Sequence, residues 1–162
     1  MKPSQPLFAR LACVALATAL LASCASKAPR ISAPAASIQQ LAVQENGDWE
    51  LDLRLHNYSS VSMHFASARI EVSVDDQVAG TVDVRPDISI GPSSGDVVSA
   101  RLKPSAMARM AVADALAGRR SLSYRLRGQV SATPDQSGKA RQFEVDDRSL
   151  LNPAPGLDGV LR

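Results

Sequence analysis

The chain has 162 residues, 45% of them hydrophobic and 21% charged, which suits one soluble globular domain and leaves little length for a second. Its formal charge is +2, and without Lys2 and Arg10, which flank or precede the apolar N-terminal run, the balance is 16 basic to 16 acidic side chains. A neutral domain lacks the clustered Lys and Arg that displace counterions from phosphate, and nothing aromatic interleaves a basic run, so no nucleic acid is expected as a partner.

The first segment reads as an address. Lys2 and Arg10 form a positive n-region, Leu11 to Leu21 an apolar h-region, and small residues follow. The apolar run falls short of the about 20 residues that a membrane-spanning helix needs, so residues 1–23 are expected to be a cleaved signal peptide. Leu21, Ala22, Ser23 and Cys24 resemble the bacterial lipobox. That resemblance implies that the Cys24 thiol is alkylated with diacylglycerol and becomes the mature N-terminus, bearing several acyl chains such as palmitate. A thiolate is the good nucleophile available here for forming a thioether. One chain holds weakly, at about 0.8 kcal/mol per buried methylene, whereas several on one residue anchor durably. Cys13 would leave with the signal, and no thiol would remain for a disulfide, a metal or redox work. In lipoproteins of this kind an Asp after the Cys marks inner-membrane retention. Ala25 and Ser26 stand here instead, which implies the periplasmic face of the outer membrane.

Residues 24–37, the lipidated Cys followed by ASKAPRISAPAAS, are rich in Ala, Ser and Pro and show no apolar period, so a flexible tether is expected. The domain is expected over 38–148. In WELDLRLH, Trp49, Leu51, Leu53 and Leu55 fall on one face and Glu50, Asp52, Arg54 and His56 on the other, the period of a half-buried strand. ARIEVSVDD repeats the pattern with Ala68, Ile70, Val72 and Val74 inward, and a turn at Asp75 to Gln77 leads to Val78, Val82 and Val84 in a hairpin partner. A short ISI at 88–90, the loop GPSSGD and the strand DVVSARL follow.

SAMARMAVADALA, 105–117, breaks this rhythm with good helix formers, capped by Ser105 and ended at Gly118. Ala106, Met110, Ala113 and Ala117 lie near one face, a narrow stripe suited to the edge of a sheet, and Met107 and Met110 are expected to fill gaps in a core. SLSYRLRGQVSAT then alternates with Leu122, Tyr124, Leu126 and Val130 inward, and RQFEVDD with Phe143 and Val145 inward. Two Pro and two Gly make 149–162 an irregular C-terminal tail. About seven strands at turn intervals of about ten residues predict a mainly β chain, an antiparallel two-sheet β-sandwich of the immunoglobulin or fibronectin-III kind, with one inserted α-helix.

The candidates for chemistry are few. His56 and His64 have no Ser or Cys in a local motif, and His56 takes the exposed parity of its strand. Without HxxxH or CxxC no metal is expected, and without GxGxxG or GxxxxGK[ST] no nucleotide cofactor. Asp75 with Asp76 and Asp146 with Asp147 read as strand-end residues bonding nearby backbone N–H groups rather than as acid and base. Arg119, Arg120, Arg125 and Arg127 read as a solvated face. An enzyme is not expected.

WELDLRLHNYSSVSMHF, ASARIEVSVDDQVAGTV and IGPSSGDVV, taken in order over about residues 38 to 145, resemble the late embryogenesis abundant type 2 family, also called the WHy (water stress and hypersensitive response) domain. In that family a strand of alternating aliphatics runs into an Asn-Pro turn. Here Asn57 is present and Tyr58 stands where the Pro would be, so the turn would rest on Asn bonding its own backbone. The resemblance implies a β-sandwich with a helix, Asn57 as a turn residue, no catalytic residues and no cofactor. It implies desiccation or stress protection of envelope clients. A different expectation, an accessory binding lipoprotein of an envelope assembly or of lipid handling, fits the same address.

Overall fold

The computed structural model describes residues 28–135 and 137–162. The expected signal peptide, Cys24 and the first part of the expected tether lie outside them. Among the described residues nine strands and one helix follow in the order β1 (Ala35–Val43), β2 (Trp49–Asn57), β3 (Met63–Val74), β4 (Gln77–Val84), β5 (Ile88–Ile90), β6 (Ser94–Leu102), α1 (Ala106–Gly118), β7 (Leu122–Pro134), β8 (Arg141–Leu151) and β9 (Val160–Leu161). They form two antiparallel sheets, one ordered β6-β2-β1-β9 and one ordered β4-β3-β7-β8, with β5 also paired to β3. The architecture is a mainly β, two-sheet sandwich with one helix.

Alternation builds the interior. Trp49, Leu51, Leu53 and Leu55 of β2 meet Ala68, Ile70, Val72 and Val74 of β3 and Leu122, Leu126 and Val130 of β7 in one buried core. Each large aliphatic taken fully out of water contributes about 1.5–3 kcal/mol before conformational entropy is subtracted. Where simple alternation would bury the wrong residues, a bulge resets it. In β1 the register shifts between Ile38 and Gln40, so that Ala36 and Ile38 are followed inward by Leu41 rather than Gln40. In β3 a shift between Phe65 and Ser67 lets both Phe65 and Ala68 face the core. Opposite the shift at Val72 and Ser73, Ala79 goes inward and Val78 turns to solvent. Val78 therefore does not share a face with Val82, which is buried.

The first strand starts at Ala35, ahead of the domain start expected at residue 38, because Ala35, Ala36 and Ser37 pair with His56, Leu55 and Arg54. The end of the chain is more ordered than an irregular tail. β8 continues to Leu151, and Val160 and Leu161 pair with Ala42 and Leu41. The buried side chain of Leu161 makes that return favourable.

Helix α1 is capped by the Ser105 hydroxyl, which accepts from the Ala108 N–H at 3.3 Å and donates to the Val78 carbonyl at 2.7 Å. Its end differs from the expected glycine stop. Gly118 stays helical and Arg119 takes the left-handed conformation, φ 49° and ψ 38°, with its N–H and that of Arg120 returning to Leu116 and Ala115. The buried face is Ala108, Val112 and Ala115, not the stripe through Ala106, Met110, Ala113 and Ala117. Val112 is the one large side chain of the helix that is fully buried, and Leu116 packs partly against the same core.

Gly128 in β7 lies opposite Ile70. A Cβ there would run into the Arg69 carbonyl oxygen and stand 2.8 Å from Ile70 Cα. Gly128→Ala is expected to destabilise the domain by about 3 kcal/mol, since backbone rather than a yielding side chain must shift. Gly91→Ala, whose Cβ would meet only Ser94 Oγ at 3.7 Å, is expected to leave the urea midpoint within experimental scatter. Equal midpoints for the two variants would contradict this packing.

Candidate functional site

The polar chemistry of the fold concentrates where β2 ends. Asn57 is fully buried, at 0% exposure, in a domain whose other buried side chains are almost all apolar. Its carboxamide donates two N–H bonds shared among the carbonyls of Val61, Ile90 and Gly91, at 2.8, 3.0 and 2.9 Å. Its Oδ1 accepts from the Ser59 N–H at 2.9 Å, an Asx turn that stands in for the ring constraint of a proline. One side chain thus closes the loop after β2 and joins it to β5.

Ser59, also buried, passes the connection on. Its hydroxyl accepts from the Ser32 N–H at 3.0 Å and lies 3.2 Å from the Ser32 carbonyl and 3.1 Å from Met63 Sδ. Beside it the Ser60 N–H donates to the Arg30 carbonyl at 2.9 Å and the Arg30 N–H donates to the Ser60 hydroxyl at 2.9 Å. Residues 30–32, which composition places in a flexible tether, are therefore strapped to the loop. The same end is tied together by the Ser93 N–H on the Ser59 carbonyl and the Asp135 N–H on the Ser62 carbonyl.

The two histidines part company. His56 packs its ring 4.2 Å from that of Tyr58. His64 places Nε2 3.0 Å from Asp87 Oδ1 and Nδ1 3.4 Å from Ser89 Oγ, a Ser–His–Asp chain that local motifs could not reveal because Ser89 lies in the neighbouring strand β5 and Asp87 just before it. The His64 and Asp87 side chains remain 39% and 83% exposed. Water then competes for each polar atom, and the long Ser89 contact is a poor start for activating a hydroxyl. Among the described residues no group of three or more His, Cys, Asp or Glu is placed to hold a metal ion.

The acidic pairs differ in place. Asp75 and Asp76 make the turn between β3 and β4, both with positive φ, 42° and 62°, as a type I′ turn requires. Burial pushes the Asp75 carboxyl up, but bonds from Arg120 at 3.0 Å and from the Ser123 hydroxyl and N–H at 2.9 and 3.1 Å outweigh it and hold the group below its ordinary value. Asp146 and Asp147 are not at a strand end but inside β8. Asp146 is held low first by the hydrogen bond from Arg125 and then by the charges of Arg125, Arg127 and Arg148. Asp147 accepts the Ala36 N–H at 3.0 Å, and the Tyr124 hydroxyl accepts the Ile38 N–H at 3.1 Å. Both cover donors that β1 would otherwise leave open on its edge. Arg125 and Arg127 thus serve ion pairs on the outer sheet face, while Arg120 pairs with Asp75.

At the opposite end of the sandwich, α1 shows solvent an apolar side. Met107 and Met110 are 57% and 65% exposed, so neither fills a core gap. Their exposed neighbours are Ala106, Ala113 and Ala117, and the charge on that side is Asp114, 3.8 Å from Arg120. Beyond Leu116 and Arg119, a cleft of about 530 Å³ opens against the loop of residues 152–159, where Leu157 is also exposed. Among the described residues no helix is long and apolar enough to cross a membrane.

Compared with protein-family profiles and with curated proteins, the chain matches none. It is similar to solved structures at low identity. One is a crystal structure of a protein from Archaeoglobus fulgidus, at 12% identity over 76% of this chain and 98% of that one, TM-score 0.42. Another is a solution structure of a protein from Arabidopsis thaliana, at 8% identity over 81% and 84%, TM-score 0.49. A third is the solution structure of a candidate late embryogenesis abundant (LEA) protein, at 13% identity over 92% and 88%, TM-score 0.49.

Three outcomes are expected at these sites. Asn57→Ala should cost about 2–4 kcal/mol in urea unfolding, because three buried carbonyls lose their donor. Asn57→Asp, close in shape, should cost more at neutral pH by setting a carboxylate against those same oxygens. For Asp75, the folded value lies below the unfolded value near 3.8, so its stabilisation is complete above that value and is lost as pH falls through the folded one. Asp75→Asn keeps a residue at home at positive φ and should flatten part of the loss of stability on acidification. An unchanged acid limb in that variant would remove Asp75 as a contributor.

Proposed function

We propose that the chain is a non-enzymatic, membrane-anchored envelope lipoprotein with a late embryogenesis abundant type 2-like domain, acting in desiccation or stress protection. Acylation of Cys24 holds it to the periplasmic face of the outer membrane. The observation that carries the protective reading is the outward side of α1. There Met107 and Met110 stand 57% and 65% exposed among alanines. Unbranched, polarisable Met side chains adapt to many apolar shapes without ordering one partner. A contact of that kind is weak and reversible, which is what transient cover of a partly unfolded client requires. The resemblance over residues 38 to 145, with Asn57 at the strand end, supplies the physiological setting.

The accessory-lipoprotein reading has one observation in its favour, the cleft between α1 and residues 152–159. A lipid carried between the sheets has less, because Leu51, Leu53, Phe65, Ile70 and Leu126 already fill that space and would have to be displaced.

Mass spectrometry of the mature N-terminal peptide should find acylated Cys24. Residues 25–162, added to a labile enzyme through freezing and thawing, should preserve more activity than an equal mass of albumin. Replacing Met107 and Met110 by Lys should remove most of that advantage without changing the unfolding midpoint. Protection equal to albumin, or untouched by the Lys pair, would contradict the proposal.

A further inference from the structure

The tether between Cys24 and the folded domain is shorter than its composition implies, and we infer that it fixes which end of the sandwich faces the lipid. The bilayer-facing surface is the loop end that carries Arg30, Tyr58, Ser93, Lys139 and Arg141. This rests on the acylation of Cys24 proposed above and adds to it a surface and an orientation.

The argument is one of reach. Ala35, the first strand residue, is 11 residues from Cys24, which an extended chain could stretch to about 36–40 Å. A free tether of that length would let either end of the domain meet the bilayer. The strap shortens it. Arg30 is held to Ser60 by its N–H and its carbonyl, both at 2.9 Å, and Ser32 to Ser59 at 3.0 Å. Arg30, the first pinned position, is then six residues from the anchor, a reach of about 20 Å. The 9 residues of β2 span about 30 Å between the loop end and the end where α1 sits. With α1 against the bilayer and the strands upright, Arg30 would stand about 30 Å away, beyond what six residues can bridge.

The chemistry of the loop end agrees. Arg30, Lys139 and Arg141 take part in none of the ion pairs among the described residues, and the acid beside them in the loop after β7 is Asp135. Tyr58 is half exposed at the rim, with the Arg30 guanidinium 3.4 Å from its carbonyl. Basic side chains and an aromatic with a polar tip suit the headgroup layer of an anionic bilayer. The opposite end then presents the apolar side of α1 away from the lipid.

The test uses the full lipidated chain, reconstituted in vesicles of zwitterionic and anionic phospholipid that bear nitroxide quenchers at the headgroup. A fluorophore is placed at Ser93→Cys or at Met110→Cys, and the mass of the N-terminal peptide is read on the same samples. Quenching several-fold stronger at position 93 than at position 110 is expected. A long Gly-Ser insertion after Ser26 should largely erase the difference. With acylated protein, quenching equal at the two positions, stronger at 110, or insensitive to the insertion overturns the inference and leaves the anchor standing. Protein that lacks the acyl groups and stays off the vesicles overturns both.

Discussion

A single buried carboxamide holds one end of this protein in shape. Asn57 has no exposure to water, so each polar atom of its side chain must be matched within the protein or the burial would cost several kcal/mol. The match is made with the carbonyls of Val61, Ile90 and Gly91 and the N–H of Ser59. The turn after β2, the approach of β5 to β3 and the orientation of Ser59 follow from it. Through the Ser59 hydroxyl the same node reaches Ser32, and so governs where the chain enters the domain. A proline at position 58 could fix the turn's φ angle, but it could not supply the donors that bind β5.

The strands were legible wherever contrast between neighbours is strong. Trp49, Leu51, Leu53 and Leu55 alternate with charged residues, and all are buried. The bulges were not, because an inserted residue carries no mark of type. Gln39 looks like Gln40, and Ala66 differs little from Ala68, yet the register shifts at these points bring Leu41 and Ala68 into the core in place of Gln40 and Ser67. The helix was legible in its cap and extent but not in its face, since alanines on every side give the periodic signal little amplitude. Of the candidate site, Asn57 could be singled out, but not its reach. The strap at Arg30 and Ser32 uses backbone groups, which side-chain patterning does not encode. The contact of His64 with Ser89 and Asp87 joins residues that only pairing of β3 with β5 brings together.

The open part of the β1 edge is managed by side chains from the opposite sheet. β9 covers β1 only at Leu41 and Ala42, which leaves the N–H groups of Ala36 and Ile38 facing outward. Asp147 of β8 and Tyr124 of β7 accept them, so the sheets are joined by hydrogen bonds as well as by apolar packing. An edge occupied in this way offers less to a strand from another chain. The arrangement suits a protein whose reading as a protectant requires that it not aggregate with what it protects.

Charge is handled locally as well. Arg69 and Asp83 face each other across β3 and β4, and Asp146 lies between Arg125 and Arg127 on the outer face of β7 and β8. Pairs this exposed add little to stability, because water screens both partners. Their larger effect is on the field around the domain, because cancelled charges project little beyond the Debye length of about 8–10 Å. Two features then stand at opposite ends of the domain. One is the group of Arg30, Lys139 and Arg141, with Asp135 beside them, at the loop end, the other the apolar side of α1 at the far end. On the proposed reading, separation by the length of a strand would let the first engage headgroups while the second stays free, so that adhesion to a membrane and contact with clients need not compete for one surface.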